Sequence, residues 1–407
     1  MRALFLHQNF PGQFPHIATH LASQPGNQVI SICQKQAHGL PQVAKVVYSP
    51  SRTVTKGIHH YLAGAESSIL NGQEAARTME KLKRQGFVPD VVIGHAGWGE
   101  TLYAKDVFPD TPLVNYFEFF YRSTGADTGF DPEYPMQADD YLRIRTKNAV
   151  NLLCLNGCDA GISPTQWQYS TLPKEYLSKI SVIHEGINTD VVQPDATARF
   201  VLEDGRVLTK ADEVITYVAR NMEPYRGFHI FMRAAEEICR RRPNAHILIV
   251  GSDSVSYGSR LPNKQTYKQK MLSEVNIDAS RVHFLGSLPY NKYLKVLQVS
   301  SVHVYLTVPF VLSWSMMEAM AAGCVVLGSS TPPVQEFIQH EKNGLLTDFF
   351  SPEQIAEKID GLFAAPDRVA GLGIKARETI LKKYTIKHSI RNYKLMLKNL
   401  GIKVDVK

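Results

Sequence analysis

Short apolar runs alternate with helix-patterned segments along almost the whole chain, and they do so in two successive series. "RALFLH", "NQVISICQ", "DVVIGHA", "PLVNYFEFFY" and "DAGISP" read as strands. Between them, "PHIATHLASQ", "SILNGQEAARTMEKLKRQG" and "DDYLRIRTKNAVNLLCLNGC" carry apolar residues at helical spacing, the last as one long amphipathic helix. Strands joined by helical crossovers pair parallel, because an antiparallel pair needs only a tight turn. The pattern resets near residue 184. A turn-rich stretch follows, containing "FVLEDGRVL", in which Asp204-Gly205 marks a small hairpin. A second series then runs "VITYVAR", "FHIFMRAAEEICRRR", "AHILIVG", "VHFLGS", "NKYLKVLQVS", "VHVYLT", "SMMEAMAAG" and "VVLGSS". The expected fold class is α/β: two Rossmann-like domains facing across a cleft. Their expected bounds are residues 1–187 and 188–384, with a basic C-terminal helix and tail over 385–407. A length of 407 residues, too long for one ordinary core, agrees with two domains.

Charge narrows the partners. The net charge is +7, yet residues 371–407 hold ten Lys and Arg against only Glu378 and Asp405. The basic excess therefore belongs to the C-terminal helix rather than to a nucleic-acid surface. A solvated helix face is the simplest reading, and peripheral contact with an anionic membrane is the alternative. The opening apolar run, Ala3 to Leu6, is too short for a signal peptide or a membrane span, so a cytoplasmic protein is expected. Five cysteines, at 33, 154, 158, 239 and 324, have neither disulfide-framework nor zinc-ligand spacing and read as buried thiols. The acidic run "FDPEYPMQADDY", with Asp131, Glu133, Asp139 and Asp140, reads as a solvated loop and helix start, so no metal is expected.

Four features fall just beyond predicted strand ends, where open α/β sheets bind ligands. Gly12, in the turn after the first strand, lets backbone approach a ligand closely. His95 follows "DVVIG" and is a candidate substrate contact or acid/base. Arg220 ends a strand and Arg226 opens the next helix after Pro224. Two guanidinium forks converging on one turn suit a diphosphate, with Gly227 between Arg226 and the helix. The fourth feature is "PFVLSWSMMEAMAAG", where a strand-like run breaks at Ser313-Trp314-Ser315 and restarts as a helix. Ser315 and Glu318 have capping-box spacing, and the same serines stand where a helix start binds phosphate. No G-x-G-x-x-G follows either first strand and no Walker sequence is present, so dinucleotide and P-loop chemistry are weakly supported.

Taken together and in order, these segments resemble glycosyltransferase family 4, a retaining family with the two-domain GT-B fold. "HQNFPGQFPHIATHLA" resembles the N-terminal loop of one bacterial branch. "ISPTQWQYSTLPKEYLSKISVIHEGINTDVVQP" resembles the approach to the interdomain linker. "YVARNMEPYRGFHIFMRA", "VGSDSVSYGS", "EAMAAGCVVLGSSTPPVQEFI" and "KNGLLTDFF" resemble the nucleotide-binding core. The resemblance implies a C-terminal helix that crosses back to the N-terminal domain. It implies that Gly12 and Gln13 approach the donor diphosphate or the acceptor, and that His95 lies beside the transferred sugar. Arg220 and Arg226 would hold the diphosphate, the second in place of the family's lysine. Ser313, Trp314 and Ser315 would bind phosphate at the helix start, Glu318 the ribose hydroxyls, and backbone around Leu288 the base.

Two departures stand out. Phe310 occupies the place of the first glutamate of the family's E-x(7)-E motif, and Pro332-Pro333 replaces a Gly-Gly upstream of Glu336. The implied function is a metal-independent retaining hexosyltransferase in glycan biosynthesis, taking a UDP- or GDP-linked sugar as donor substrate and no cofactor. A non-catalytic nucleotide-sugar-binding protein and a nucleotide-sugar isomerase are the alternatives.

Overall fold

A computed structural model describes residues 1–404 of the chain. It divides into two compact units: Met1–Gly186 together with the chain from Ile386 onward, and Ile187–Thr385.

The first unit is built on a seven-stranded sheet. Its strands are β1 (Arg2–Leu6), β2 (Gln28–Cys33), β3 (Ala44–Val47), β4 (Val91–His95), β5 (Leu113–Tyr116), β6 (Ala160–Ser163) and β7 (Ile180–Val182). They lie in the order β3-β2-β1-β4-β5-β6-β7, and every pair is parallel. A parallel sheet is covered on both faces, which is why its central strands are apolar without interruption. Side chains alternate across the pleat. Ala3 and Phe5 join a core with Phe14, which precedes α1 (Pro15–Ala22), and with Ile17 and Leu21 of that helix. Leu4 and Leu6 join the opposite core with Ala75, Met79 and Leu82 of α2 (Ala63–Arg84). The C-terminal helix, Ile386–Asn399, places Tyr393, Met396 and Leu397 in the first of these cores. The expected return of the last helix to the N-terminal domain is thus met by burial. Of its cations, Lys387, Arg391 and Lys398 are exposed, whereas Lys394 is buried.

Three expectations change here. "PLVNYFEFFY" keeps strand geometry only from Leu113 to Tyr116, because the chain leaves the sheet after Phe117 N bonds Ile162 O. The long amphipathic helix divides at Asn148 into α3 (Ala138–Lys147) and α4 (Ala149–Gly157). The Asn148 side chain accepts from Tyr121 N at 2.9 Å and donates to Tyr121 O at 2.7 Å, pinning a neighbouring loop at the break. Asp131 is buried rather than solvated and accepts from Glu133 N at 3.0 Å. Asp139 and Asp140 do begin a helix, as read.

The second unit opens with an antiparallel pair, β8 (Arg199–Val201) and β9 (Val207–Thr209), joined through Asp204-Gly205 as the hairpin motif required. Its main sheet comprises β10 (Val214–Asn221), β11 (His246–Ser252), β12 (Val282–Gly286), β13 (Val302–Tyr305), β14 (Val325–Ser329) and β15 (Leu345–Thr347). The order is β12-β11-β10-β13-β14-β15, again all parallel. α5 (Phe228–Arg241) covers one face, where Phe231 stacks on Tyr217 at 4.7 Å. The opposite face is covered by α6 (Tyr290–Val299), α7 (Trp314–Ala321) and the helix Pro366–Lys383, which contribute Leu297, Met316, Met320 and Ile380. All five cysteines are buried. Burial pushes the Cys154 thiol up to about 12 and that of Cys158 up to about 11, as expected of inert thiols.

Leu397 is fully buried, whereas Leu395, two residues away on the same helix, is 40% exposed. Leu397→Ala should therefore lower the stability of the first unit by about 2–5 kcal/mol, and Leu395→Ala should stay within about 0.5 kcal/mol of the parent. Calorimetric or urea unfolding checks this. Equal effects would mean the helix is not docked by the face described.

Candidate functional site

In the first unit, β1 and β4 are neighbours, so the loops leaving their C-terminal ends lie side by side. Gly12 sits in the first of these with φ at +49°, and a Cβ there would fall 2.1 Å from His7 Nε2. Only glycine lets this turn close over the His7 ring. Asn9 N donates to His7 Nδ1 at 3.0 Å, which puts the ring proton on Nε2. That proton is given to Gln13 Oε1 at 2.8 Å, and Gln13 Nε2 in turn donates to Glu118 Oε1 at 3.1 Å. Burial and the neighbouring His95 push the His7 pKa down to about 3, so the ring stays neutral and the chain of donors keeps one direction.

His95 ends β4 and is buried, 3% exposed. Gly97 N donates to its Nδ1 at 2.9 Å, leaving the proton on Nε2, which faces Glu118 Oε2 across 3.6 Å. Trp98 stacks on the His95 ring at 4.1 Å, and Tyr116 lies tilted against it at 5.4 Å. Burial alone would raise the Glu118 carboxyl, but His95, the Gln13 amide and His7 outweigh it and hold it below its ordinary value. Gly12, Gln13 and His95 are thus brought together. His7, Trp98 and Glu118 escaped the sequence reading. Glu118 lies inside "YFEFFY", which reads as strand, and its signal is a lone carboxylate in an aromatic run just past a parallel strand.

In the second unit, β10 and β13 are neighbours, and the segments after them meet. Gly227 has φ at +63°, and a Cβ there would fall 2.5 Å from Leu306 Cβ, so the turn that aims Arg226 requires glycine. The two arginines do not form one fork. Arg220 is exposed at the end of β10, whereas Arg226 is turned inward and 6% exposed. Arg226 Nη1 donates to Thr307 Oγ1 at 2.7 Å, to Val311 O at 2.9 Å and to Tyr305 OH at 3.2 Å. Its guanidinium also lies 5.5 Å from the Tyr257 ring centre and 6.0 Å from that of Phe310. Phe310 is itself buried, edge-on to Tyr225 at 5.3 Å and tilted against Tyr257 at 5.0 Å. The residue in the place of the family's glutamate has become part of an aromatic wall beside the guanidinium.

Tyr305 OH links Arg226 to the start of α7 by accepting Ser313 N at 2.7 Å. Ser313, not Ser315, caps that helix: its side chain accepts from Ser315 N at 3.3 Å, and the two hydroxyls are 3.0 Å apart. The Ser315–Glu318 capping box is therefore not built. Glu318 turns instead to α6, where Tyr290 OH and Tyr293 OH each donate to one carboxylate oxygen at 2.7 Å. Burial raises the Glu318 pKa against the opposing pull of these two hydroxyls. Trp314 is 43% exposed beside this start. Leu288 packs against the cores on one side of the sheet just before α6. Pro332 occupies the first turn of a short helix, where its missing N–H costs nothing, so Pro332-Pro333 is accommodated without strain.

Solved structures share this architecture across the whole chain. Anabaena Alr3699/HepE, crystallised with UDP and glucose, superposes with a TM-score of 0.69 at 16% identity, covering 98% of this chain and 100% of that one. Sucrose-phosphate synthase from Thermosynechococcus elongatus gives a TM-score of 0.71 at 15% identity, covering 98% and 99%. At such identities the likeness is one of fold, the GT-B fold. Among sequences, the D-inositol 3-phosphate glycosyltransferase of Segniliparus rotundus is 25% identical over 218 residues, 53% of this chain and 46% of that protein. The GDP-mannose-dependent alpha-(1-6)-phosphatidylinositol monomannoside mannosyltransferase of Mycobacterium tuberculosis is 25% identical over 221 residues, 51% and 52% of the two chains. The chain spans about half the length of these relatives. Residues 25–192 match the profile of the glycosyl transferase family 4 group, and residues 203–379 that of glycosyl transferases group 1. These two matches run through most of both units, and on them the chain belongs to the family 4 glycosyltransferases.

Proposed function

We propose that this protein is a retaining glycosyltransferase that moves a sugar from a UDP- or GDP-linked donor to an acceptor hydroxyl in glycan or glycoconjugate biosynthesis. The observation that carries the reading is Arg226. It is a buried guanidinium whose hydrogen bonds, among the described residues, go to neutral hydroxyl and carbonyl oxygens, with the Tyr257 and Phe310 rings beside it. A buried cation without a countercharge is costly, and a site at the C-terminal edge of a parallel sheet is where an anionic ligand supplies one. The serine-capped start of α7, tied to Arg226 through Tyr305, adds the positive end of a helix dipole. The GDP-mannose on which the mycobacterial relative depends and the UDP bound to Alr3699/HepE both carry the diphosphate that such a site favours.

In this reading the acceptor oxygen bonds to the anomeric carbon on the face from which the diphosphate departs. The bond from that carbon to the β-phosphate oxygen breaks, and the acceptor proton passes to the departing phosphate. No protein nucleophile takes part. Arg226, the exposed Arg220 and the α7 dipole stabilise the charge that grows on the β-phosphate. Glu318 accepts the ribose hydroxyls with the lone pairs its two tyrosines leave over, and backbone at Leu288 meets the base. His95 contacts the transferred sugar, beside Gly12 and Gln13. The exposed cations of the C-terminal helix are the surface proposed to touch anionic lipid. The binding-protein alternative draws on Phe310, which has no acceptor atom for a sugar hydroxyl. Release of nucleoside diphosphate from a UDP- or GDP-sugar separates it from transfer, and sugar interconversion without that release would identify an isomerase.

Arg226→Lys keeps the charge and loses the fork. It should weaken nucleoside-diphosphate binding by about 1–3 kcal/mol, roughly five- to a hundredfold, as measured by calorimetric titration. Arg220→Ala should weaken it with an unchanged melting temperature, since that side chain is exposed; unaltered binding in both variants would remove the diphosphate from this edge. Glu318→Gln should weaken UDP or GDP binding by a similar factor yet leave a 2′,3′-dideoxy nucleotide bound equally by both proteins. Transfer should persist in excess EDTA, because the arginines and the helix start neutralise the diphosphate. Complete loss restored by magnesium or manganese would overturn that.

A further inference from the structure

The chain of donors in the first unit stops one step short. His7 donates to Gln13 and Gln13 to Glu118 Oε1, but Glu118 Oε2 and His95 Nε2 face each other across 3.6 Å. That is beyond hydrogen-bond length. His95 Nε2 has no hydrogen-bond partner among the described residues, although the ring is almost entirely buried. An unpaired buried N–H is among the more expensive defects a fold can carry, and here the ring cannot turn to repair it. Gly97 N holds Nδ1, and the stacked Trp98 and tilted Tyr116 fix the plane. The Glu118 side chain is 33% exposed, so the gap can be reached from solvent.

We infer that Glu118 and His95 form a hydroxyl-binding subsite, in which one ligand hydroxyl accepts the His95 Nε2–H and donates its own proton to Glu118 Oε2. An oxygen set to one side of the 3.6 Å line lies within hydrogen-bond reach of both atoms. The pairing selects the ligand class. A phosphate oxygen would meet the Glu118 carboxylate, and an ammonium has no lone pair for His95. An alcohol both accepts and donates, so the subsite takes a sugar or other polyol. Glu118 is then the specificity residue, and His7 and Gln13 position it by holding Oε1 away from the ligand. The inference deepens the glycosyltransferase reading, but the hydroxyl it binds does not depend on the nucleotide.

Glu118→Gln is the discriminating variant. Gln13 Nε2 demands an oxygen on its side, so the new amide would turn its NH2 toward His95, donor against donor. The test records imidazole ¹H–¹⁵N spectra of the full chain with UDP-glucose, GDP-mannose, UDP, GDP and free glucose as probes. In the parent, the His95 Nε2 resonance should move with a nucleotide sugar and with glucose, and not with UDP or GDP alone. In Glu118→Gln that movement should vanish, and affinity for the responding nucleotide sugar should fall about tenfold while affinity for its nucleoside diphosphate is unchanged. Glu118→Asp, which draws the carboxylate back by one methylene, serves if the glutamine variant does not fold, and its response should be reduced. An undiminished response in either variant overturns the subsite. So does a His95 shift as large with UDP as with UDP-glucose. Glucose moving His95 where no nucleotide sugar binds would leave the subsite standing and remove the donor assignment. Silence with every probe overturns the subsite.

Discussion

Both parallel sheets must be buried on two faces at once, and the rest of the molecule answers to that requirement. In β1 the pleat sends Ala3 and Phe5 to one core and Leu4 and Leu6 to the other. Neither face can be left to water, since each fully buried side chain is worth about 1.5–3 kcal/mol. The crossover helices supply most of the cover, and the helix Ile386–Asn399 helps α1 complete one face of the first unit. Parallel pairing has a second consequence. It delivers the C-terminal end of every strand to the same edge, so the loops after β1 and β4, and those after β10 and β13, meet there whatever their sequence.

What those loops carry differs between the units in a chemically meaningful way. In the first unit the polar groups are ordered by one neutral ring. His7, too buried to ionise, fixes the orientation of Gln13, and Gln13 fixes one oxygen of Glu118. In the second unit the central group is a cation. Arg226 is held by hydroxyls, a carbonyl and aromatic faces, none of which cancels its charge. A carboxylate beside a histidine N–H recognises hydroxyls, and an uncompensated guanidinium recognises phosphate.

Phe310 shows how a departure from a family pattern can be absorbed by packing. A glutamate at that position would have stood beside Arg226 and neutralised it. The phenyl ring instead completes a wall with Tyr225 and Tyr257, keeps the guanidinium desolvated, and leaves its charge intact. The ring has no hydrogen-bond acceptor and no charge to set against the guanidinium.

Alternating apolar runs and helical periods were enough to determine two parallel α/β units, the β8–β9 hairpin at Asp204-Gly205, and the strand ends at which Gly12, His95, Arg226 and Ser313 would matter. Those features are local, and the burial of each strand or turn writes them into consecutive residues. The short edge strands β3, β7 and β15 left too few residues to form a pattern. The break at Asn148 depended on a partner, Tyr121, that is distant in sequence. Side-chain partnerships were decided only by the tertiary structure. Spacing paired Glu318 with Ser315, three residues away, but the folded chain offers two tyrosine hydroxyls from α6, and stronger donors to a carboxylate win. Spacing likewise set Arg220 and Arg226 together, whereas Gly227 and Tyr305 turn one inward and leave the other in solvent. Glu118 became a site residue because β5 ends beside β4, an adjacency that belongs to the sheet and to no stretch of sequence.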